Sequence, residues 1–313
     1  MERLTSFIAS RGLLKTCVCH NQNPLSSAAH IDADLLAAHR AGASIYVCTD
    51  ALGDFASNYL HRIEVPFVLV TGDSDVPITE AMLTDEVMGR IIQSDLLVAW
   101  YAQNLATKHP KIFHLPIGLD YHTMRKKPGS WGMTAMSPIA QEHTLLSTLE
   151  ASPAFNQRYL LGYCNWQFEM KRGDRRECYS KVDKSVCFFE RHPVSRHSTW
   201  MRQSECMFVI SPEGVGIDCH RTWEALLLGC IPVIKRNPLA ALFERLPVLI
   251  VDDWSEVNKS NLLSCAKAFG SRRFDFSSLF TAHWSARIAG HRNVVLPPMT
   301  GREFRNLLTR KTG

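Results

Sequence analysis

Apolar residues fall along the chain in short runs, each closed by a polar or glycine-rich turn and most followed by a stretch with helical spacing. In the first part the runs at 14–19, 45–48, 67–71, 96–100 and 112–115 predict five strands, since 4–8 apolar residues bounded by Gly, Pro or Asx turns suit strands covered on both faces. Between the first two, 28–41 sets Ile31, Leu35 and Ala38 on one side and stops at Gly42, which predicts a helix. Another helical stretch runs through to Met88. At Arg125 the texture changes, and Arg125-Lys126-Lys127-Pro128-Gly129-Ser130-Trp131-Gly132 is basic and rich in breakers. A helix is predicted at 137–149, with proline in its first turn. A second alternating series follows, with strands at 159–164, 186–189, 207–210, 231–234 and 246–251. Helices are predicted near 198–203 and at 255–269, and an amphipathic one at 302–310 through Phe304, Leu307 and Leu308. Strands alternating with helices predict parallel, doubly wound sheets. The chain therefore divides into Rossmann-like halves at 1–125 and 156–300, a linker or domain edge at 126–155, and a C-terminal helix at 301–313.

The stretch 207–235 carries the clearest chemistry. Between two buried strands, Ser211-Pro212-Glu213-Gly214-Val215-Gly216 cannot continue a strand, and its glycines let the backbone approach a ligand closely. Asp218 is placed to cap the next helix, and Gly229 with Pro232 ends it. On that helix Trp223, Leu226 and Leu227 share the face that packs on the sheet, while His220, Arg221 and Glu224 fall elsewhere. A strand, glycine loop and helix in this order present free N–H groups at the carboxyl edge of a sheet, where phosphates bind. A carboxylate one turn into the helix is placed for ribose hydroxyls.

The run Arg221, Glu224, Ala225, Leu226, Gly229, Cys230, Ile231, Pro232, Val233, preceded by Ser211-Pro212, resembles the donor-site segment of exostosin-like glycosyltransferases. The likeness covers this segment; the rest of the chain follows that family in the order of its elements. It implies a GT-B architecture, two Rossmann-like domains facing across a cleft, with the donor held by the second. It also implies transfer of a sugar from a nucleotide-diphosphate donor, UDP-linked above all, to a hydroxyl acceptor with inversion. The nucleotide-sugar is then a co-substrate and no cofactor is expected. Such enzymes neutralise the leaving diphosphate with helix N-termini and basic side chains, so no metal site is expected. The C-terminal helix is expected to pack back across the first domain.

Composition changes little. The 313 residues are 46% hydrophobic and 21% charged, ordinary for two globular domains with two packed cores. No apolar run approaches the ~20 residues of a membrane span, and the N-terminus lacks an h-region. The ten cysteines form no C-x-x-C pair and sit largely in apolar runs. A cytoplasmic setting, or a host cytoplasm for a viral protein, is expected. A net charge of +5 suits a diphosphate or polyanion without singling out nucleic acid.

Ligands sit outside the carboxyl ends of strands in such sheets, which selects the candidate residues. On the donor side these are Ser211, Glu213, Gly214, Gly216, Asp218, His220, Arg221 and Glu224. Ser211, Gly214 and Gly216 would meet the diphosphate or sugar, and Glu224 the ribose; Arg221 would pair with a phosphate or fix Glu224. Of Lys171, Arg172, Arg175 and Arg176, Arg172 or Arg175 is the candidate for the pyrophosphate. On the acceptor side Asp73 is the first candidate for the general base, with Asp120 and His122 next; Asp75, Trp100 and Asn104 are candidates for acceptor contacts. Carboxylates at such turns also serve as caps. Glu224→Ala is expected to weaken donor binding with little effect on stability, and Asp73→Asn to stop transfer with donor binding intact. The acceptor is open among a glycan, a small molecule and a hydroxymethylated base in DNA, the last permitted by basic clusters at 125–127, 272–273 and His291–Arg292. Two other classes compete. A catalytically silent nucleotide-sugar binding module shares every feature above. A Rossmann-type oxidoreductase does not, because Cys219 stands where G-x-G-x-x-G needs its third glycine.

Overall fold

A computed structural model of the chain describes residues 1–126, 129, 132–290 and 298–310, with side chains at all of these except 305 and 307–310. Lys127, Pro128, Ser130 and Trp131 of the expected linker, His291 and Arg292, the side chains of Leu307 and Leu308, and residues 311–313 lie outside the described set.

The architecture is α/β, with two sheets of parallel strands. The first holds β1 (Ala43–Cys48), β2 (Phe67–Gly72), β3 (Leu97–Ala102) and β4 (Ile112–His114) in sequence order. The second holds β5 (Tyr159–Cys164), β6 (Cys187–Phe189), β7 (Cys206–Ile210), β8 (Ile231–Lys235) and β9 (Leu249–Val251) in the order β6-β5-β7-β8-β9. The order therefore reverses only in the second sheet, between β5 and β7, which makes that sheet doubly wound and places a topological switch point there.

Burial on both faces explains the unbroken apolar strands. All six residues of β2 are buried: Phe67 and Leu69 face one cluster of side chains, Val68 and Val70 another. In β7, Phe208 and Ile210 face a third cluster, while Val209 joins Val68 and Val70 in the second. That shared cluster also takes Trp223, Trp284 and Phe304, so the two halves are joined by one continuous core. The two cores expected from composition become three, because each sheet presents one face to its own helices and the other to the shared layer.

Most helix signals of the second half hold their place. Ser137 Oγ accepts from the Ala140 N–H at the start of the helix Pro138–Ala151, with Pro138 at its first position. The helix His220–Leu227 buries Trp223, Leu226 and Leu227 and stops at Gly229, but Cys219 is its N-cap residue. Asp218, the expected cap, sits one residue earlier and spends its carboxylate elsewhere.

The first half departs more. The run 14–19 is not a strand: Leu14 ends the helix Ser10–Leu14, and only Cys19 pairs with β1, through its N–H to Ser44 O and its carbonyl to Tyr46 N. A short apolar run cannot by its period tell a buried helix from a strand. The expected helix over 28–41 is a series of turns closed by bonds such as Leu35 N to Asp32 O and His39 N to Leu36 O, although Ile31 and Leu35 are buried as the spacing requires. At the other end, Phe280 bridges Phe7, and Thr281 bonds Ser6 O and Phe7 O. The chain thus returns to the first half through the helix Thr281–Gly290, some way before the expected 301–313. The helix Gly301–Arg310 adds Phe304, stacked on Phe276 at 4.9 Å and edge-on to Phe280 at 6.0 Å. No described helix is long and apolar enough to cross a membrane.

Candidate active site

The turns after β2 and β4 meet the start of the helix His220–Leu227 around a polar pocket of 190 Å³. β2 leads straight into Asp73, Ser74 and Asp75; β4 leads to Ile117, Asp120 and the helix Tyr121–Lys126, which carries His122. These residues line the pocket together with His220, Ser10 and Ser26. Asp73, Asp75, Asp120 and His122, chosen from the sequence because they follow strand ends, thus share one pocket with a histidine of the second half. Three described non-glycine residues have left-handed backbones: Ser27 (φ 52°), Asp73 (φ 55°) and Asn104 (φ 50°). Ser27 and Asp73 line the pocket, and Asn104 bonds the carbonyl of Ser74, which also lines it. Asp and Asn tolerate this conformation; for Ser27 it costs on the order of 1–3 kcal/mol, a strain that concentrates at functional sites.

A chain of polar contacts crosses the pocket. Arg11 Nε holds Asp73 Oδ2 at 3.2 Å, both side chains being buried. Ser26 Oγ donates to Asp73 Oδ1 at 2.9 Å, accepts from Arg11 Nη2 at 3.0 Å, and stands 3.0 Å from His122 Nε2. His122 Nδ1 faces Asp120 Oδ1 at 3.1 Å. An ionised carboxylate only accepts, so Nδ1 carries the proton and the lone pair of Nε2 points at Ser26. Burial works against the Asp120 charge, but His220, His122, Arg196 and the bond from Thr123 outweigh it, and its pKa falls well below the carboxylate range. Burial lowers the His122 pKa, and Asp120 and Asp73 offset that only in part. The result is a neutral imidazole oriented by an ionised carboxylate. His220 donates from Nδ1 to Gly118 O at 2.7 Å, which leaves its Nε2 as the basic nitrogen.

The other flank lies at the switch point between β5 and β7. Arg175 Nε donates to Glu213 O at 3.3 Å, and its Nη1 to Trp166 O and Glu169 O. Arg221 donates to Ser211 Oγ and Pro212 O. Neither guanidinium meets a carboxylate within ion-pair distance among the described residues. Burial, then the neighbouring Arg221 charge, push the Arg175 pKa down to about 10. Two cations on one glycine loop with only neutral acceptors form an electrostatic site short of an anion. Gly214 sits against Arg175, and a side chain at Gly216 would press on Asn104 and on Asp75 Oδ1, about 3.1 Å away, so this loop reaches the pocket rim.

No family model matches the chain, and no curated protein matches it.

Several expected roles change on this geometry. Glu224 is buried and gives Oε1 to Arg196, through Nε at 2.9 Å and through Nη2, so it is committed inside the protein and is not a lining residue of the pocket. Asp218 accepts from Ile117 N at 2.8 Å and from Trp223 Nε1; burial raises its pKa to about 6 against these bonds. With His220 on Gly118 O and Arg196 Nη1 on Asp120 O at 2.9 Å, it clamps 117–120 to the second half. Gly118 permits this: its φ is +65°, and an added Cβ would lie 2.2 Å from Ile8 O. Asn104 is fully buried between Ser74 O and the Asp218 N–H, and so is unavailable to an acceptor. Trp100 is 1% exposed with its indole N–H on Thr71 Oγ1; it offers no face to a sugar. Arg172 is exposed and paired with Glu169, leaving Arg175 as the phosphate candidate. Ser211 bonds Thr222, and Glu213 accepts from Asn237. Asp73 is tied to Arg11 in a buried ion pair, whereas Asp120 orients His122 with its Nε2 toward the pocket, so His122 becomes the first candidate for the base. Among the described residues no cluster of metal-ligand side chains forms.

Sequence reading passed over Arg11, Ser26 and Arg196. A lone arginine at the head of an apolar run, such as Arg11, calls for a buried counter-charge; Ser26 carries no such signal.

Proposed function

We propose that the chain is a glycosyltransferase that moves a sugar from a nucleotide-diphosphate donor, UDP-linked in the first instance, to a hydroxyl acceptor. The observation that carries the reading is the His122–Asp120 dyad in a pocket that also receives the glycine-loop half of the other sheet. The likeness of 211–233 to exostosin-like donor segments supports it, as does the β5–β7 switch point, where nucleotides bind in such sheets. In the proposed step the acceptor oxygen attacks the anomeric carbon from the side of His122, whose Nε2 takes the hydroxyl proton. Asp120 keeps the imidazole in the required tautomer and stabilises the imidazolium, as Asp73 does from 3.9 Å. The bond to the diphosphate breaks on the opposite face, giving inversion, and Arg175 and Arg221 take up the charge of the leaving group. A pocket of 190 Å³ is below the ~300–1,000 Å³ of sites for whole drug-sized ligands, so it suits the sugar and acceptor hydroxyl while the nucleotide lies along the switch point. The ten cysteines, all free thiols, support a reducing, cytoplasmic setting.

The test is turnover. With UDP-sugars and a panel of glycan, small-molecule and hydroxymethylated-DNA acceptors, the chain should release UDP, and His122→Ala should slow release by about 10²–10⁴ while retaining UDP binding by calorimetry. Binding without release would leave the catalytically silent binding module; neither binding nor release with any donor would reject both.

A further inference from the structure

We propose that Ser26 is itself an acceptor: the chain transfers a glycosyl group in cis from the nucleotide-sugar to the Ser26 hydroxyl. This rests on the glycosyltransferase reading and adds to it the identity of one substrate. Ser26 Oγ is 3.0 Å from His122 Nε2, inside the reach a general base needs. With Asp120 at 3.1 Å behind His122, nucleophile, base and orienting carboxylate stand in line. Arg11 Nη2, donating to the same oxygen at 3.0 Å, stabilises the developing alkoxide. The Ser26 hydroxyl donates to Asp73 Oδ1 at 2.9 Å; this bond holds it in place until the hydroxyl turns its proton onto His122 Nε2, and Asp73 then faces the imidazolium that forms.

The loop is fixed for this contact. The Ser27 N–H bonds Asp73 O at 2.9 Å, and Ser27 takes up its left-handed backbone (φ 52°) beside the equally left-handed Asp73 (φ 55°). A strained residue pinned next to a hydroxyl that already occupies the acceptor's place on the base is more than a surface loop needs. Ser26 is exposed, and the open 190 Å³ pocket beside it gives the added sugar somewhere to lie. In the step, Ser26 Oγ bonds to the anomeric carbon as the bond from that carbon to the diphosphate oxygen breaks. The hydroxyl proton passes to His122 Nε2 and on to solvent, and the nucleoside diphosphate departs.

The experiment incubates the full chain, with no added acceptor, in turn with UDP-glucose, UDP-galactose, UDP-N-acetylglucosamine, UDP-glucuronate and GDP-mannose. Released nucleoside diphosphate is quantified, and the protein is read by intact mass and peptide mapping. The expected result is a gain of one glycosyl residue on the peptide containing Ser26, absent in Ser26→Ala. Mapping the unaltered chain decides the question even if that variant folds poorly. Diphosphate release with Ser26 unmodified, or with the sugar elsewhere, overturns the proposal and leaves the glycosyltransferase reading standing. No release here, nor with the acceptor panel above, overturns both.

Discussion

Replacing Glu224 with alanine removes the carboxylate that Arg196 holds through two nitrogens, at a place where the two side chains are only 4% and 8% exposed. Burial works against the Arg196 charge, but Glu224 and Asp120 outweigh it and raise its pKa above the usual arginine value. Taking away one partner of a buried pair costs about 3–5 kcal/mol, since the remaining charge stays out of water. Arg196 keeps its bond to Asp120 O and its position 5.3 Å from the Trp200 ring, which argues for the lower end. At roughly 2–4 °C per kcal/mol for a large domain, a loss of ~3 kcal/mol lowers Tm by about 6–12 °C. The assay is a double-mutant cycle by thermal and urea denaturation, with Glu224→Ala, Arg196→Met and the pair. The double variant should regain much of the stability lost by Glu224→Ala, because it removes the stranded charge along with its partner. A Glu224→Ala protein melting within about 1 °C of the parent would refute the reasoning, and an accompanying loss of UDP binding would return Glu224 to the ribose.

Four further outcomes follow from the site. His122→Ala should lower kcat by about 10²–10⁴, the range for a lost general base. In the parent, kcat/KM should fall as pH drops through a value below 6.5, because burial holds the imidazole neutral and only the neutral form accepts a proton; an acid limb centred above pH 7 would exclude His122. Arg175→Ala with Arg221→Ala should weaken UDP binding by on the order of 10² or more by calorimetry, at ~1.5–3 kcal/mol per charged hydrogen bond, and unchanged affinity would move the phosphates elsewhere. Gly118→Ala should cost more than ~1 kcal/mol in urea, since it combines a positive φ with a 2.2 Å clash on Ile8 O; an unaffected midpoint would show that 117–120 can shift.

The chain by itself determined the α/β class and the five strands of the second half with most of its helices, but not the helices Arg175–Lys181 and Thr281–Gly290. β7 is an unbroken apolar run and β5 and β8 are largely apolar, and Ser137-Pro138 and Gly229 mark helix ends through local backbone chemistry. The strand-end rule also picked out Asp73, Asp75, Asp120 and His122 before any contact was known, and all four line one pocket together with His220 of the donor motif. The first half was less legible, because the run 14–19 is too short for its period to separate helix from strand, and 28–41 buries Ile31 and Leu35 from turns with a helix's spacing. Only the tertiary structure decided which polar groups were already spoken for. Arg11 reaches Asp73 across 62 residues, Ser26 reaches His122 across 96, and Arg196 reaches Glu224 across 28. A side chain's period along the chain reports the face it occupies; a buried charge is satisfied by whatever lies opposite it in space, and for Glu224 that neighbour is Arg196.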